Sequence, residues 1–187
     1  MGKMIKIDDH VFTAISGLTE DANHLVDVAR YMAQQHIYTY KQPLAVEQLV
    51  QSLCEEKHAY TQFGSYRPYG VSFMYAGWDK VRGYQLYNSD PSGNYSAWKA
   101  HATGMNNVNA ITVLKADYDE DISLRNAIKL AVKVVAKTID SHDPKPEKFE
   151  IMYITKEEDK IVQRELSNDE LTKFLAELKE EKEAEGN

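Results

Sequence analysis

Residues 88–104, NSDPSGNYSAWKAHATG, contain three arrangements that could support chemistry. Ser92 lies beside a glycine and could be a nucleophile, while Asn94 begins an N-x-S glycosylation acceptor. Gly93 and Gly104 could belong to a loop that binds phosphate. The serine lacks the G-x-S-x-G frame of a nucleophile elbow, and no histidine is placed by sequence to activate it. The glycines match neither the dinucleotide-binding nor the P-loop spacing.

The D-P-S-G segment at residues 90–93 fits a type I turn position by position. An aspartate at the first place bonds back to the backbone, a proline at the second presets φ, and glycine is favoured at the fourth. A chain without a secretion signal should also not meet the glycosylation machinery. The stretch therefore predicts a turn between two strands rather than an active site.

Cys54 and His58 lie four residues apart on a predicted helix, so they share one side of it. The functional interpretation is a thiolate–imidazole pair. The alternative is a half-buried thiol beside the apolar stripe, with Glu55 and Glu56 disfavouring the thiolate. The alternative is favoured, because two residues without a third orienting group are a weak signal.

Asp8, Asp9 and His10 could offer metal ligands. Adjacent residues near the start of a strand point in opposite directions, however, and no second ligand pair has a recognisable spacing. The sequence therefore favours a turn that carries an exposed histidine.

A basic ridge at four-residue spacing follows one side of a later predicted helix. It consists of Arg125, Lys129, Lys133 and Lys137. It could bind an acidic partner, but such a ridge is more often the solvated edge of an amphipathic helix, here one that could face the acidic end of the chain. The Glu- and Lys-rich residues 177–185 could be an interaction tail or simply solubilising charge.

Hydrophobic periodicity predicts the elements that would position these residues. The predicted strands are 4–7, 11–16, 71–78, 84–87, 95–102, 149–155 and 161–166, and the predicted helices are 19–37, 45–60, 107–118, 124–138 and 169–179, with Thr19 as the N-cap of the first. Short turns between strands indicate antiparallel pairing, and the helices come in pairs. The simplest packing is an α+β fold, a four-layer α-β-β-α sandwich.

Composition narrows the class of protein. At 187 residues one domain is expected, with a second left open. The single cysteine rules out an internal disulfide and suits a reducing compartment. The net charge of -7 argues against nucleic acid as the main partner. No apolar run reaches the length of a membrane span, and Lys6 stands where a myristoylation signal needs Ser or Thr. We therefore expect no membrane partner.

Long contiguous stretches resemble the α-subunit family of the proteasome. They are YTQFGSYRPYGVSF at 60–73, GWDK at 77–80, QLYNSDPSGNYSAWKA at 85–100 and ATG at 102–104. The similarity covers nearly the whole chain apart from the charged end. GWDK, the following QLYNSDPSGNY and the charged C-terminal extension look most like the alpha type-4 branch.

The resemblance implies the sandwich fold of N-terminal nucleophile hydrolases and a non-catalytic, structural subunit of the outer ring of the core particle. Such a subunit needs no cofactor, metal or catalytic residue. Its partners would be neighbouring α subunits, β subunits and activators or regulatory caps, in ubiquitin-dependent protein degradation in the cytoplasm and nucleus. The alternatives are an autonomous amidohydrolase with an N-terminal nucleophile and an adaptor that acts through its charged C-terminal helix.

The resemblance also implies one binding residue and a set of boundaries. Lys3, in K-M-I-K-I-D, matches the family's lysine that pairs with the C-terminal carboxylate of activators; the alternative is an ordinary surface lysine. Residues 1–178 are expected to form the sandwich domain without its first helix and first two strands. Residues 179–187 are expected to form a charged, disordered tail.

Overall fold

The computed structural model describes residues 2–64, 66–139, 145–158 and 160–185, the last five of these by their backbone alone. The chain divides into two compact units. The first unit is Met1–Lys99 with Ile154–Gln163, and the second is Ala100–Tyr153 with Arg164–Asn187. The chain thus enters the second unit at residue 100, returns to the first at residue 154 and enters the second again at residue 164.

The elements follow one another largely as the periodicity predicts. In chain order they are β1 (Met4–Asp8), β2 (Val11–Gly17), α1 (Thr19–Tyr40), α2 (Val46–Gln62), β3 (Val71–Asp79), β4 (Gly83–Ser89), β5 (Tyr95–Ala97), α3 (Asn107–Asp117), α4 (Leu124–Thr138), β6 (Met152–Glu157), β7 (Lys160–Glu165) and α5 (Asn168–Glu185), with a short 3₁₀ turn at Pro146–Lys148.

The first unit is built on a five-stranded antiparallel sheet with the strand order β1-β2-β3-β4-β5. Its register pairs Ile15 with Phe73 and Tyr75 with Tyr87. Alternate residues of β3 are buried, from Val71 to Gly77, so one sheet face is the more deeply covered. Short turns join most of these strands, and the predicted antiparallel pairing is confirmed.

Helices α1 and α2 cover that face of the sheet. Their buried stripes recur at helical spacing and meet the aromatic residues of β3. The fully buried members are Val11, Ala22, Leu25, Ala29, Val46, Leu49, Val50, Leu53, Phe73 and Tyr75. This core holds the strands and the first helix pair in fixed positions.

The second unit contains α3, α4 and α5 and the outer ends of the β6–β7 hairpin. Its larger core cluster is Ile128, Val132, Phe149, Ile151, Leu166, Leu171, Leu175 and Leu178. On the surface of this unit, Arg125 and Lys129 pair with Glu177 of α5 at 2.6 and 3.9 Å, and Lys133 pairs with Asp117 at 2.8 Å. The prediction that the basic ridge faces the acidic end of the chain is thus confirmed for Arg125 and Lys129.

Helix α1 begins at Thr19, so the prediction that Thr19 is its N-cap is wrong. Leu18 holds the cap position and makes no side-chain capping bond. The backbone explains this start, because the Leu18 N–H donates to the Gly70 carbonyl at 2.9 Å and the Leu18 carbonyl accepts the first helical bond from Ala22. Gly17, at φ +129°, lies too close to the Gly70 carbonyl to carry a Cβ. Packing against Gly70, rather than a capping side chain, therefore sets the start of the helix.

Of the other element boundaries, the ends of β5 and α5 differ most from the prediction. Strand β5 ends at Ala97 instead of residue 102, after which the Trp98 N–H makes one more bond, to the Leu86 carbonyl. Helix α5 continues to Glu185, although residues 179–187 were predicted to be disordered. The Glu, Lys and Ala of this segment are strong helix formers, which accounts for the extension. Residues 186 and 187 lie outside the described residues. No helix among the described residues has the length and apolar character of a membrane span.

Candidate functional site

Lys3, the proposed activator-binding residue, lies exposed immediately before β1. Its carbonyl accepts a 3.0 Å hydrogen bond from the Ile15 N–H, which ties the residue's backbone to β2. The sheet therefore fixes the origin of the side chain while its ammonium group reaches the surface. A flexible, positively charged donor on a fixed base is suited to bind a carboxylate.

The predicted type I turn at residues 90–93 is confirmed. The Gly93 N–H donates to the Asp90 carbonyl at 3.2 Å, and Asp90 Oδ1 accepts from the N–H and hydroxyl of Ser92 at 2.8 and 2.5 Å and from the N–H of Asn94 at 3.2 Å. Burial raises the pKa of Asp90, but these hydrogen bonds outweigh it and hold the pKa below its usual value. The Ser92 hydroxyl is a donor to Asp90, so its role in the turn is structural.

His58 approaches Ser92 at the wrong atom for catalysis. Its Nδ1 lies 3.3 Å from the Ser92 carbonyl oxygen. Cys54, one helical turn earlier, is buried, and this burial raises the pKa of its thiol. The interpretation of Cys54 as an inert thiol is therefore supported, although burial and not the adjacent glutamates is the main cause.

Lys57 is a buried lysine that the sequence analysis missed. Its side chain is 0% exposed, and its Nζ donates to the Val71 carbonyl at 3.1 Å, to Ser89 Oγ at 2.9 Å and to the Asp90 carbonyl at 3.3 Å. The ammonium also lies 4.7 Å from the centre of the Phe73 ring. A signal for this residue was present, because Lys57 follows Leu53 by four residues and so continues the apolar stripe of α2.

Burial lowers the pKa of Lys57 to about 8, with Cys54 and Asp90 opposing the shift. Its three acceptors are uncharged, so they satisfy the donors without neutralising the ion. Lys57 thereby joins α2, β3 and the end of β4 beneath the Asp90 turn. Gly93 allows the turn to pack closely against α2, since a Cβ there would lie 2.5 Å from the Cys54 carbonyl.

His10 is buried, so the prediction of an exposed histidine is wrong. It is 7% exposed, its Nε2 lies 2.6 Å from the Leu44 carbonyl, and its Nδ1 lies 3.5 Å from Asp8 Oδ2. The pairing of β1 with β2 shifts register between Lys6 and Asp8, next to this turn. The Leu44 carbonyl is too distant in sequence for a local pattern to reveal its contact with His10. Among the described residues, no group of His, Cys, Asp and Glu could hold a metal ion.

Asp21 and Arg67 form a bidentate ion pair within the first unit. The two guanidinium bonds measure 2.6 and 2.8 Å, and the Gly70 N–H donates to Asp21 Oδ2 at 2.8 Å. The Arg67 bonds, followed by the Gly70 bond, lower the pKa of Asp21 to about 2. This pair fixes the segment before β3 to the first turn of α1.

A concavity of about 550 Å³ lies beside this ion pair. Its apolar walls include Tyr60, Phe63, Tyr66 and Tyr69, and Phe63 is 77% exposed while Tyr66 is fully exposed. Exposed aromatic side chains around a fixed charged pair are typical of a protein–protein contact surface. The first unit therefore offers a surface for binding beside the Asp21–Arg67 pair.

Comparison with known proteins gives a consistent result. A family model described as "Proteasome subunit" matches residues 1–154. The chain is 48% identical over 186 residues to "Proteasome subunit alpha type-4" of Dictyostelium discoideum, which covers 99% of this chain and 74% of the relative. It is 51% identical over 174 residues to "Proteasome subunit alpha type-4-A" of Arabidopsis thaliana, covering 92% and 70%. The similar protein from Spinacia oleracea is 55% identical over 149 residues, covering 80% and 60%.

Proposed function

The chain belongs to the proteasome subunit family, and from this premise we propose that it is a non-catalytic, structural α subunit of the outer ring of the core particle. The observation that carries the proposal is the similarity to alpha type-4 subunits over 186 residues, which includes the α-subunit stretches. The fold class agrees, since this family has the N-terminal nucleophile hydrolase-like sandwich and the chain is α+β with antiparallel sheets.

A non-catalytic role is supported by the chemistry of the candidate residues. The Ser92 hydroxyl donates to Asp90, and burial raises the pKa of the Cys54 thiol. The lowered pKa of Asp90 makes it a weak base toward Ser92, and the raised pKa of Cys54 disfavours the nucleophilic thiolate. The chain would instead contribute shape and surface to ring assembly, to the passage of substrates and to the docking of activators in ubiquitin-dependent degradation. Its partners would be neighbouring α subunits, β subunits and activators, in the cytoplasm and nucleus.

Ring incorporation tests the main proposal. The full-length protein, tagged at its C-terminus and expressed in its own cells, should sediment with the core particle and its peptidase activity. Recovery only as a lone chain would contradict the proposal. Peptide hydrolysis by the purified lone chain would favour the amidohydrolase alternative instead. Loss of all partners on removing residues after Leu178 would favour the adaptor alternative.

The role proposed for Lys3 needs a separate test in the assembled particle. Lys3→Ala should raise the activator concentration needed for half-maximal stimulation of peptide hydrolysis several-fold, because the activator's terminal carboxylate loses its cationic partner. Basal hydrolysis should stay unchanged. Lys80→Ala, an exposed lysine in the turn after β3, is the matched control. Equal responses of the two variants would identify Lys3 as an ordinary surface lysine.

A further inference from the structure

Strand β1 is an end strand of the five-stranded sheet among the described residues. In an antiparallel ladder, successive residues direct their backbone groups alternately toward and away from the partner strand. Lys3 bonds to Ile15 of β2, so Lys6, three residues later, directs its carbonyl away from β2. An edge of this kind can pair with a strand of another chain.

Arg30 of α1 occupies the outward carbonyl of Lys6. Its Nε and Nη2 donate to this oxygen at 3.2 and 2.9 Å. Asp27 holds the same guanidinium from one helical turn away, with an Nη1–Oδ1 distance of 3.6 Å. The fork of the arginine therefore lies across the edge, where a pairing strand would place its own N–H.

Gln163 of β7 occupies the next carbonyls along the edge. Its Nε2 donates to the carbonyl oxygens of Asp8 and Asp9 at 2.8 and 3.1 Å. Arg30 and Gln163 come from elements far apart in sequence, yet both bond to backbone carbonyls of β1 or of the turn that follows it. Two side chains thus occupy acceptors along an edge of only five residues.

Two other features of β1 oppose strand pairing. The register shift between Lys6 and Asp8 disturbs the straight ladder that an added strand needs. Lys6 also carries a charge in the middle of the strand, partly balanced by Asp9 at 2.6 Å. Two β1 strands paired antiparallel about their centres would place Lys6 opposite Lys6, and like charges directly opposite are unfavourable.

The other end strand, β5, has only three residues and is protected by its shortness.

From these contacts we propose that Arg30 and Gln163 are edge caps that prevent β1 from pairing with β1 of a second copy of this chain. The second copy is the expected partner because two identical edges can pair about a two-fold axis, with each carbonyl freed on one edge accepting from an outward N–H of the other. The caps act by occupying backbone acceptors, so the proposal is independent of any role in a ring.

Removal of both caps tests the proposal. The variant Arg30→Met with Gln163→Met keeps unbranched side chains at both positions and removes the donors. Its weight-average mass by light scattering should exceed that of the parent chain, roughly doubling at high concentration as one two-fold pairing requires. Hydrogen exchange of residues 4–8 should slow in the associated form, because their outward N–H groups become paired.

Matched controls separate edge pairing from general loss of surface charge. The control variant Arg82→Met with Gln51→Met changes the same two residue types away from the edge. Arg82, in the turn between β3 and β4, pairs with Glu47, and Gln51 of α2 bonds to Glu55. This control should keep the mass of the parent. Asp27→Asn should also keep it, since that change leaves the bonds from Arg30 to the Lys6 carbonyl in place.

Three outcomes would overturn the proposal. They are a folded double variant with the mass of the parent, an increase in mass without slower exchange in residues 4–8, and an equal increase in the Arg82 and Gln51 control. If circular dichroism shows that the double variant is unfolded, Gln163→Met alone replaces it, because Gln163 carries no charge. That single variant should show the same change to a smaller extent, and the mass of the parent chain would again contradict the proposal.

Discussion

Asp21 and Lys57 are two buried ionisable side chains of the first unit with opposite electrostatic surroundings. Asp21 faces the guanidinium of Arg67 and the N–H of Gly70, and its pKa falls to about 2. Lys57 faces two carbonyls and a hydroxyl, and burial lowers its pKa to about 8. Asp21 is held in its charged form by its partners, whereas Lys57 is charged at neutral pH despite its surroundings.

The difference shows that a full set of hydrogen bonds does not by itself compensate a buried charge. Both groups are satisfied as donors or acceptors, but Asp21 forms a direct ion pair, whereas the carboxylate of Asp90 acts on Lys57 without one of the hydrogen bonds described above. The structural contribution of Lys57 therefore lies in its three hydrogen bonds, which connect α2 to β3, to the end of β4 and to the turn that follows β4. The comparison predicts that the two residues respond differently to truncation and to pH.

Truncation of Lys57 should have the largest effect. Lys57→Ala should lower the free energy of unfolding by about 4 kcal/mol, because it leaves a cavity and three unpaired acceptors. Lys57→Met should lose roughly half as much, since it keeps the volume and removes the buried charge. Urea denaturation followed by circular dichroism measures both, with Lys80→Ala as the exposed control, expected within about 0.5 kcal/mol of the parent. A larger loss for Lys57→Met than for Lys57→Ala would contradict the interpretation that the buried charge of Lys57 is itself unfavourable in the folded protein.

Gly93→Ala should come next, with a loss of about 3 kcal/mol in urea denaturation. The residue has φ +90°, and an added Cβ would lie 2.5 Å from the Cys54 carbonyl and 2.9 Å from the His58 nitrogen. Gly83→Ala measures the cost of a positive φ alone, because Gly83 has φ +71° with no neighbour near an added Cβ. This variant should lose about 1 kcal/mol of unfolding free energy. Equal losses in the two variants would show that contact with α2 is unimportant at Gly93.

The pH dependence of Lys57 has a definite sign. Between pH 8 and its unfolded pKa of 10.5, the folded protein holds fewer protons at this site than the unfolded chain, so stability rises with pH. The parent should gain about 2 kcal/mol relative to Lys57→Met between pH 7 and 9.5, at 1.36 kcal/mol for each pKa unit. The buried Tyr75, whose pKa burial raises, acts in the opposite direction only at higher pH. Parallel stability curves for the two proteins would contradict the lowered pKa of Lys57.

Asp21→Asn should have the smallest of these effects, a loss of about 1–2 kcal/mol at neutral pH. The amide keeps the size of the carboxylate but cannot form the charged bidentate pair with Arg67. The contribution of Asp21 is present above its unfolded pKa of 3.8 and is lost as pH falls through about 2. Denaturation curves of the variant and parent should therefore converge on acidification, and a constant difference down to pH 2 would exclude an electrostatic origin.

Local sequence patterns predicted the parts of the structure that depend on neighbouring residues. The D-P-S-G turn carries its own hydrogen-bonding groups within four positions, and α4 has the predicted bounds because its apolar spacing is regular. The N-cap of α1 was predicted wrongly because the Leu18 N–H is bound by the Gly70 carbonyl, more than fifty residues away along the chain.

The buried polar residues were harder to predict because burial depends on distant partners. His10 was expected on the surface, but its acceptor is the Leu44 carbonyl, 34 residues away. Lys57 was overlooked because a lysine is rarely fully buried, even though it continues the stripe of α2. The edge caps could not be inferred at all, since Gln163 and Asp8 are separated by 155 residues.

That separation has a consequence for the order in which the newly made chain acquires its structure. All five strands of the main sheet have been synthesised by residue 97, whereas Gln163 is added 66 residues later. At translation rates of about 5–20 residues per second, the interval lasts roughly 3–13 s. During that time the sheet can form while one of its two edge caps does not yet exist. The nascent chain is thus most vulnerable to pairing with its neighbours on a polysome late in synthesis, when the sheet is complete and β7 is still missing.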